Sequence, residues 1–416
     1  MRVVGAAAAS AIAVLAGCSP GDAEDAERTA AAADAPACTP SDSPLAATGD
    51  VSASALQLPE PTGPHAVGTT QVALTDEGRP DSIAPSGGPR ELVAQVWYPT
   101  EADAQSPGCS PTRYQSAAAA AANEELFLYP AGSLDAVRSP ALLDAPVAPV
   151  DGGHPVIMYS PGLYGSLSDN TAVALEMASN GYVVVAVGTT YETPALEFPD
   201  GRVVGTSTKA SDLLGTDQVT PLIGLRAQDA GFVLDQLAAG DAFPEGLTSS
   251  LNLDSVGMFG HSAGGAAALQ VARDREDVTS AVNLDGFARQ PDAAEGLADP
   301  FLFVTSEGHL EATEPTWGPF LAASGEGTLV EIAGMGHLGL TDVGSDGWID
   351  GLGLPETVPP EAFTTNFGNL APGTMARIAQ GVMAFFDQTL LDRNTDGFEQ
   401  LLETYPEVIK SVTAVP

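Results

Sequence analysis

The sequence predicts one α/β domain built on an open, doubly wound sheet that is mostly parallel and has an antiparallel edge. Residues 182–187 form a continuous apolar run, which is typical of a parallel strand buried on both faces. Several such runs alternate with helical stretches, and that order favours a doubly wound sheet with right-handed connections. One strand-to-helix turn, at Ser262, carries the pattern G-x-S-x-G, which places a nucleophile at the carboxyl edge of such a sheet.

The predicted elements follow one another from residue 61 to residue 391. Alternating apolar residues at 67–74 and 91–98 indicate two strands, which we expect to pair antiparallel at the sheet edge. Residues 100–150 are expected to form an excursion rich in loops and helix. The other expected strands are 155–160, 182–187, the stretch before Ser262, 280–284, 301–305 and 328–332; the expected helices are 172–180, 225–239, the stretch after Ser262, and 375–391.

The composition is strongly acidic. The chain has 54 acidic residues against 15 basic ones, which gives a net charge of −39. A surface of this charge repels nucleic acid, so we expect no nucleic-acid partner.

The N-terminus has the layout of an export signal. One basic residue precedes an alanine-rich apolar segment and small residues, so residues 1–17 are predicted to be a signal peptide and not a spanning helix. The segment 15–18 (LAGC) resembles a bacterial lipobox, with ordinary secretion as the alternative. The resemblance implies that Cys18 is lipidated and anchors the exported protein to the membrane, facing the extracellular or periplasmic side.

The remaining chain divides into a linker and a folded domain. Residues 18–58 contain few large apolar residues and are predicted to be a disordered acidic linker after the lipidated Cys18, whereas residues 59–416 form the catalytic domain. Two further cysteines, Cys38 and Cys109, lie in loops. An exported protein can hold a disulfide between them, and their pairing is left open.

The turn at Ser262 is interpreted as a nucleophile elbow. A short apolar strand precedes it and an alanine-rich helix follows, whereas a chance G-x-S-x-G lacks this context. Gly260 and Gly264 omit the Cβ atoms for which a strained turn has no room. The positive end of the following helix points at the serine.

A serine hydroxyl needs a base to act as a nucleophile, and the 5 histidines can be compared one by one. His65 and His154 precede strands, which places them at the wrong edge of the sheet, and His261 lies inside the turn, where its side chain cannot reach the serine well. His337 directly follows the last predicted parallel strand, where the base of a Ser…acid…His order belongs. His309 is the fallback.

The acid that orients the base has two candidates. Asp285 and Glu307 each follow a strand between the serine and His337. The residues alone leave this choice open, and the common placement of the acid one strand later favours Glu307.

Six segments of the sequence, taken in order, match the motifs of a known family. They are 63–70 (GPHAVGTT), 159–163 (YSPGL), 260–265 (GHSAGG), 283–287 (NLDGF), 301–307 (FLFVTSE) and the segment from 336 to 342 (GHLGLTD). Together they resemble the platelet-activating-factor acetylhydrolase family of α/β-hydrolases, in its plasma-type (isoform II) form with its bacterial lipoprotein relatives. The resemblance extends over about residues 61–395.

The resemblance implies the α/β-hydrolase fold and a serine carboxylic-ester hydrolase that works through an acyl-enzyme. It selects Asp285 as the acid and so completes a triad with Ser262 and His337. By the same resemblance, the backbone N–H groups of Leu163 and Ala263 form the oxyanion hole. No metal or other cofactor is expected, because this mechanism requires none.

The implied substrates are esters or phospholipids, with 1-alkyl-2-acetylglycerophosphocholine as one candidate. Pro161 replaces a histidine of the family pattern, and Ala263 replaces an aromatic residue, which opens the pocket floor and leaves the acyl-chain length open. Tyr164 and Trp317 are candidates to line the pocket, with ordinary packing as the alternative. Two other functions stay open: a cutinase-like polyester or triglyceride hydrolase, and a catalytically inactive surface lipoprotein that binds a ligand.

Near the C-terminus, residues 392–403 match the spacing of a calcium loop. The ligand positions would be Asp392, Asn394, Asp396 and Glu403. Glu399 stands where such loops bury an apolar residue, so a polar turn between two helices is the favoured interpretation.

Overall fold

The computed structural model describes residues 37–38, 42–47, 56–213, 219–393, 403–405 and 408–414. The strands in these ranges are β1 (Ala66–Pro80), β2 (Pro89–Thr100), β3 (Pro111–Arg113), β4 (Arg138–Leu143), β5 (His154–Ser160), β6 (Val183–Val187), β7 (Leu196–Glu197), β8 (Val203–Val204), β9 (Leu251–His261), β10 (Val278–Leu284), β11 (Phe301–Thr305), β12 (Gly327–Ile332) and β13 (Val408–Ala414).

Eleven of these strands form one sheet, in the order β13-β12-β11-β10-β9-β5-β6-β2-β1-β4-β3, and β7 pairs with β8 in a small separate hairpin. The strands from β12 to β6 in this order are parallel to one another. Their neighbours β13 and β2 pair antiparallel to them. The predicted fold class, a mostly parallel α/β sheet with an antiparallel edge, is therefore confirmed.

The predicted position of the first hairpin needs one correction. Strands β1 and β2 pair antiparallel as expected, but they do not form the edge, because β4 pairs parallel with β1 and β3 pairs with β4. Both additional strands come from the 100–150 excursion. They are only 3 and 6 residues long, too short for an alternating pattern to be visible in the sequence.

Helices cover both faces of the sheet. In the described residues they are α1 (Ala117–Phe127), α2 (Thr171–Ser179), α3 (Thr208–Ser211), α4 (Thr220–Ala239), α5 (Glu245–Thr248), α6 (Ala263–Asp274), α7 (His309–Ala323), α8 (Trp348–Gly351), α9 (Leu354–Thr357), α10 (Pro360–Asn366) and α11 (Thr374–Leu391). Helices α2 and α11 pack on one face, whereas α4, α6 and α7 pack on the other.

Strand β6 shows why the central strands are apolar throughout. Val184 and Ala186 belong to the core on one face of the sheet, and Val183, Val185 and Val187 belong to the core on the other. All five side chains are buried. A polar residue at any of them would lose its hydration without gaining a partner, which explains the continuous run.

Described parts of the predicted linker pack against the domain. Cys38 is buried and forms a disulfide with Cys109, with 4.9 Å between the two Cα atoms. Leu56 is buried in the core, and the indole N–H of Trp348 donates to the carbonyl of Gln57 over 2.7 Å. Described residues on the N-terminal side of residue 59 are therefore part of the folded domain, because a disulfide and a few apolar side chains attach a segment whose overall composition is that of a spacer.

Residues 1–36, including the predicted signal peptide and Cys18, lie outside the described residues. Within the described ranges, no helix has the length and apolar character needed to cross a membrane.

Candidate active site

The turn at Ser262 joins β9 directly to α6. Ser262 has φ 55° and ψ −121°, a strained conformation, and its N–H donates to the carbonyl of Leu284 on neighbouring β10 over 2.8 Å. A Cβ atom on Gly260 would lie 2.2 Å from the backbone of Gly264, and one on Gly264 would lie 2.0 Å from the carbonyl oxygen of Ser160. Both glycines are therefore required for the close packing of this turn against β5, as the pattern predicted.

His337 bridges the serine and an acid. It follows β12 at the start of a short 3-10 helix, His337–Leu340. Its Nε2 atom lies 3.1 Å from Ser262 Oγ, and its Nδ1 atom lies 2.7 Å from Asp285 Oδ2. These distances are within hydrogen-bond range, so the imidazole can take a proton from the serine while its other nitrogen donates to the carboxylate.

Asp285 is held from three sides. It follows β10 with φ 55°, and its carboxylate accepts hydrogen bonds from the N–H (2.7 Å) and hydroxyl (2.9 Å) of Ser306. His309 Nδ1 lies 2.9 Å from Asp285 Oδ1, opposite His337. Burial acts to raise the pKa of Asp285, but the hydrogen bonds from His309 and His337 outweigh it and hold the pKa below its usual range. The carboxylate is therefore ionised beside the imidazole.

The alternative acid, Glu307, and the alternative base, His309, lie in different places. Glu307 does not reach the site: its carboxylate accepts a hydrogen bond from the N–H of Gly334 over 2.8 Å, at an exposed position. His309 contacts the same acid as His337 but bonds to its other oxygen, and it is His337 that reaches Ser262.

His261 is a site residue that the comparison of histidines set aside. Its Nε2 atom lies 2.9 Å from the backbone carbonyl of His337, and the two rings lie 4.7 Å apart between centroids. Burial, followed by the charge of His337, lowers the pKa of His261 to about 3. The ring is therefore neutral and donates Nε2–H to that carbonyl, which links the elbow to the loop that carries His337. Only its position next to the serine could have indicated this role.

The predicted oxyanion residues both border the same cavity as Ser262. Leu163 follows β5 and Ala263 begins α6, and both line the space in front of the serine. Gly162 packs closely on the elbow, since a Cβ atom there would lie 2.9 Å from His261 Nδ1 and 3.4 Å from Ser262 Cβ.

The cavity in front of Ser262 has a volume of about 310 Å³, which is enough for a small acyl or aromatic group. Its wall is mainly apolar and aromatic. The side chains of this kind are Tyr114, Phe127, Tyr129, Leu134, Val219, Ile223, Phe287, Leu338, Val343 and Trp348.

Neither Tyr164 nor Trp317 lines this cavity, so the predicted pocket role is corrected for both. Tyr164 has φ 58°, and its side chain packs on a small cluster that includes Ile83 and Leu222. Trp317 lies on α7 and packs against Phe303, with 3.6 Å between ring centroids, in the core under the sheet.

A second acid, Asp169, faces the cavity. It is half-buried, and its Oδ2 atom accepts a hydrogen bond from the N–H of Ser166 over 2.9 Å. No described basic side chain forms an ion pair with it. Burial raises the pKa of Asp169 to about 7.

No cluster of possible metal ligands is present among the described residues. The structure describes only part of the weak calcium-loop candidate. Asp392 directly follows α11 as its C-cap residue, whereas Asn394 and Asp396 lie outside the described ranges. The preference for a polar turn in this segment stays a prediction.

Comparison with known proteins gives one family model and two relatives to which this chain is similar. The family model described as platelet-activating factor acetylhydrolase, isoform II, matches residues 51–193. A probable 1-alkyl-2-acetylglycerophosphocholine esterase of Arthroderma benhamiae is 27% identical over 248 residues, which cover 56% of this chain and 59% of that protein. The solved structure of a ferulic acid esterase from Streptomyces cinnamoneus matches with a TM-score of 0.67 and 30% identity, over 86% of this chain and 99% of that one. The family model and the curated relative support the platelet-activating factor acetylhydrolase family as the one this chain resembles.

The family match and the geometry of the site are separate observations. The matched residues 51–193 include Leu163 but none of Ser262, Asp285 and His337. The chain spans only 59% of the length of the curated relative. Both relatives are named as esterases, which agrees with the predicted class of enzyme, a carboxylic-ester hydrolase.

Proposed function

We propose that this protein is an exported serine carboxylic-ester hydrolase that works through an acyl-enzyme. One observation carries the proposal: the His337 imidazole lies between Ser262 Oγ, at 3.1 Å, and the ionised carboxylate of Asp285, at 2.7 Å. The names of the relatives support the same class of reaction.

In the first half of the reaction, Ser262 Oγ attacks the ester carbonyl carbon while His337 Nε2 takes the hydroxyl proton. Asp285 keeps the Nδ1–H tautomer of His337 and stabilises the imidazolium. His337 then gives its proton to the departing alcohol, which leaves the acyl group on Ser262. In the second half, His337 takes a proton from the water that attacks the acyl carbon and returns it to Ser262 Oγ as the bond from Oγ to the acyl carbon breaks and the carboxylic acid leaves.

The negative charge on the carbonyl oxygen needs donors during both halves. We assign this role to the backbone N–H groups of Leu163 and Ala263, which both border the cavity beside Ser262. One donor of this kind contributes about 2.7–4 kcal/mol to transition-state stabilisation.

The cavity supports an ester with an apolar or aromatic group of modest size. Phe127, Tyr129 and Trp348 contribute aromatic surface, and Ala263 leaves the floor near the serine uncrowded. The substrate named for one relative is a glycerophosphocholine ester and that of the other is a ferulic acid ester, so acyl chains and hydroxycinnamoyl groups are the two acyl classes to compare. A panel of p-nitrophenyl esters from acetyl to dodecanoyl, together with methyl ferulate, separates them. A polyester or triglyceride film as substrate tests the cutinase-like alternative.

The decisive test is labelling of the serine. We expect a fluorophosphonate probe to label the wild-type protein stoichiometrically, and Ser262→Ala to lose both the labelling and p-nitrophenyl butyrate hydrolysis while the protein stays folded. Ser139→Ala, a buried serine of β4 that does not line the cavity, serves as the matched control and should keep both. An unlabelled wild-type protein would favour the alternative of an inactive binding lipoprotein.

We further propose that the protein is exported and anchored through Cys18, facing the extracellular or periplasmic side. The Cys38–Cys109 disulfide supports this, because disulfides persist in oxidising compartments. Replacing Cys18 by Ser should move the protein from the membrane fraction to the soluble fraction; an unchanged distribution would argue against the anchor.

A further inference from the structure

A fully buried arginine contacts the loop that carries Leu163. Arg226, on α4, is 2% exposed, and its guanidinium donates to two consecutive backbone carbonyls, those of Pro161 and Gly162. The distance from Arg226 Nη2 to Gly162 O is 3.1 Å. Both carbonyls lie immediately before Leu163 in the chain.

The guanidinium is itself fixed by a buried partner. Arg226 Nε and Nη2 each contact Glu192 Oε2 at 2.9 Å, and Glu192 is 0% exposed. Three directions of the planar guanidinium are therefore occupied by acceptors, so its orientation is determined by the surrounding fold.

The contact with Gly162 has a geometric consequence for the next residue. A trans peptide unit is planar, so its C=O and N–H groups point in opposite directions. No cis peptide bond is present in the described residues. Arg226 Nη2 and the N–H of Gly165, each 3.1 Å from Gly162 O, hold the carbonyl of the Gly162–Leu163 peptide on one side. The N–H of Leu163 therefore points to the other side, and Leu163 borders the cavity next to Ser262.

We propose that Arg226, held by Glu192, is a positioning residue that orients the Leu163 N–H toward the oxyanion. This inference rests on the proposed function, since it gives Leu163 the role of an oxyanion donor. The guanidinium does not touch the substrate. Together with the N–H of Gly165 it fixes the rotation of one peptide plane, and its positive charge behind the carbonyl polarises that peptide so that the N–H is a stronger donor.

Removing a buried arginine also leaves unsatisfied carbonyls and an unpaired carboxylate, which destabilises the fold. A matched control is therefore needed, and Arg90 provides it. Arg90 is also fully buried, pairs with Asp81 at 3.0 Å and Asp229 at 2.7 Å, and donates to the carbonyl of Thr190. It makes no hydrogen bond to residues 160–165.

The experiment compares Arg226→Met and Arg226→Lys with Arg90→Met, at a temperature where circular dichroism shows each variant folded. The measurements are kcat and KM for p-nitrophenyl butyrate, and the inhibition constant of a trifluoromethyl ketone, which forms a tetrahedral oxyanion adduct on an active serine. For Arg226→Met we expect kcat to fall by about 10²-fold with KM changed by less than about threefold, and the ketone to bind about 10²-fold more weakly. Arg226→Lys should lie between this variant and the wild type, since an ammonium is a point charge that cannot hold both carbonyls in fixed directions.

For Arg90→Met we expect a similar loss of melting temperature but a change in kcat and ketone affinity of less than about threefold. Equal losses of kcat and ketone affinity in Arg90→Met and Arg226→Met would overturn the inference, because the effect would then follow stability alone. If Arg226→Met does not fold, Arg226→Lys decides: unchanged kcat and ketone affinity in that variant overturn the inference. A wild-type protein that neither hydrolyses the ester nor reacts with a fluorophosphonate would refute the proposed function as well, and so distinguishes the two failures.

Discussion

Two carboxyl groups of the candidate active site, Asp285 behind His337 and Asp169 at the cavity, are in opposite electrostatic situations. Asp285 is deeply buried, yet two histidines and Ser306 donate to it, and its pKa is held below the usual range. The carboxylate of Asp169 accepts a backbone hydrogen bond from Ser166, forms no ion pair with a described basic side chain, and has a pKa raised by burial to about 7.

The difference shows that the neighbours of a carboxyl group, more than its burial, determine what it can do in an active site. Donors that favour the charged form make Asp285 a permanent anion that can orient an imidazole. At Asp169 the single backbone hydrogen bond from Ser166 does not offset the effect of burial, so the pKa of this carboxyl lies near neutral pH. Environments that separate the pKa values of two acids in one site are typical of enzymes.

The largest expected effect on kcat comes from the comparison of variants at the two histidines that contact Asp285. His337→Ala removes the base and should lower kcat by about 10⁶-fold, as for the equivalent member of other serine triads. His309→Ala removes one donor to the acid and leaves the contact between His337 and Ser262 in place, so we expect a loss of roughly tenfold or less. Steady-state kinetics with p-nitrophenyl butyrate measures both. A greater loss for His309→Ala would reverse the assignment of the base.

The next prediction tests which of the two candidate residues, Asp285 or Glu307, is the acid of the proposed triad. Asp285→Asn should lower kcat by about 10⁴-fold, because the amide selects the wrong tautomer of His337. Glu307→Gln is the control, since the Glu307 carboxylate accepts a hydrogen bond from the N–H of Gly334 at an exposed position away from His337, and its kcat should stay within about twofold of the wild type. A larger loss of kcat in Glu307→Gln than in Asp285→Asn would mean that Glu307, and not Asp285, is the acid.

The smallest effect concerns stability as a function of pH, and here the two aspartates should differ in sign. An unfolded aspartate ionises near pH 3.9. Since the pKa of folded Asp285 lies below its usual range, its contribution to stability is present above about pH 4 and is lost as the pH falls further. Folded Asp169 keeps its proton until about pH 7, so it lowers stability progressively between pH 4 and pH 7 and by a constant amount above.

Thermal unfolding at pH 4 and pH 8 tests this contrast. Asp169→Asn should raise stability at pH 8 by roughly 1–3 kcal/mol and give no gain at pH 4, whereas Asp285→Asn should lower stability at pH 8. The same pH dependence in both variants and the wild type would mean that the two carboxyl groups do not differ as described.

Local patterns were sufficient to predict the elements that carry the site. The elbow at Ser262 and the loop position of His337 depend on short-range features, namely a glycine pattern and the end of a strand, and the structure brings both side chains together. Residues whose role depends on distant partners could not be predicted in this way. His309 meets Asp285, and Arg226 meets Glu192 and the loop before Leu163, through contacts between separate elements that leave no local pattern.

The same distinction explains the predicted linker. Its composition is that of a spacer, yet the pairing of Cys38 with Cys109, the burial of Leu56 in the core and hydrogen bonds from Arg113 and Trp348 attach its described parts to the domain. These contacts join segments that are far apart in the chain, so composition alone could not reveal them.

If Cys18 carries the lipid as proposed, this attachment sets the maximum distance between the membrane and the domain. Because Cys38 is covalently joined to Cys109, the chain between Cys18 and Cys38 can span at most roughly 70 Å, compared with roughly 140 Å for a spacer that runs from Cys18 to residue 59. The disulfide therefore sets the upper limit on the distance between the lipid surface and the domain. Reducing it would extend the free chain only as far as Leu45, whose carbonyl accepts a hydrogen bond from the N–H of Arg113, or roughly 90 Å from Cys18.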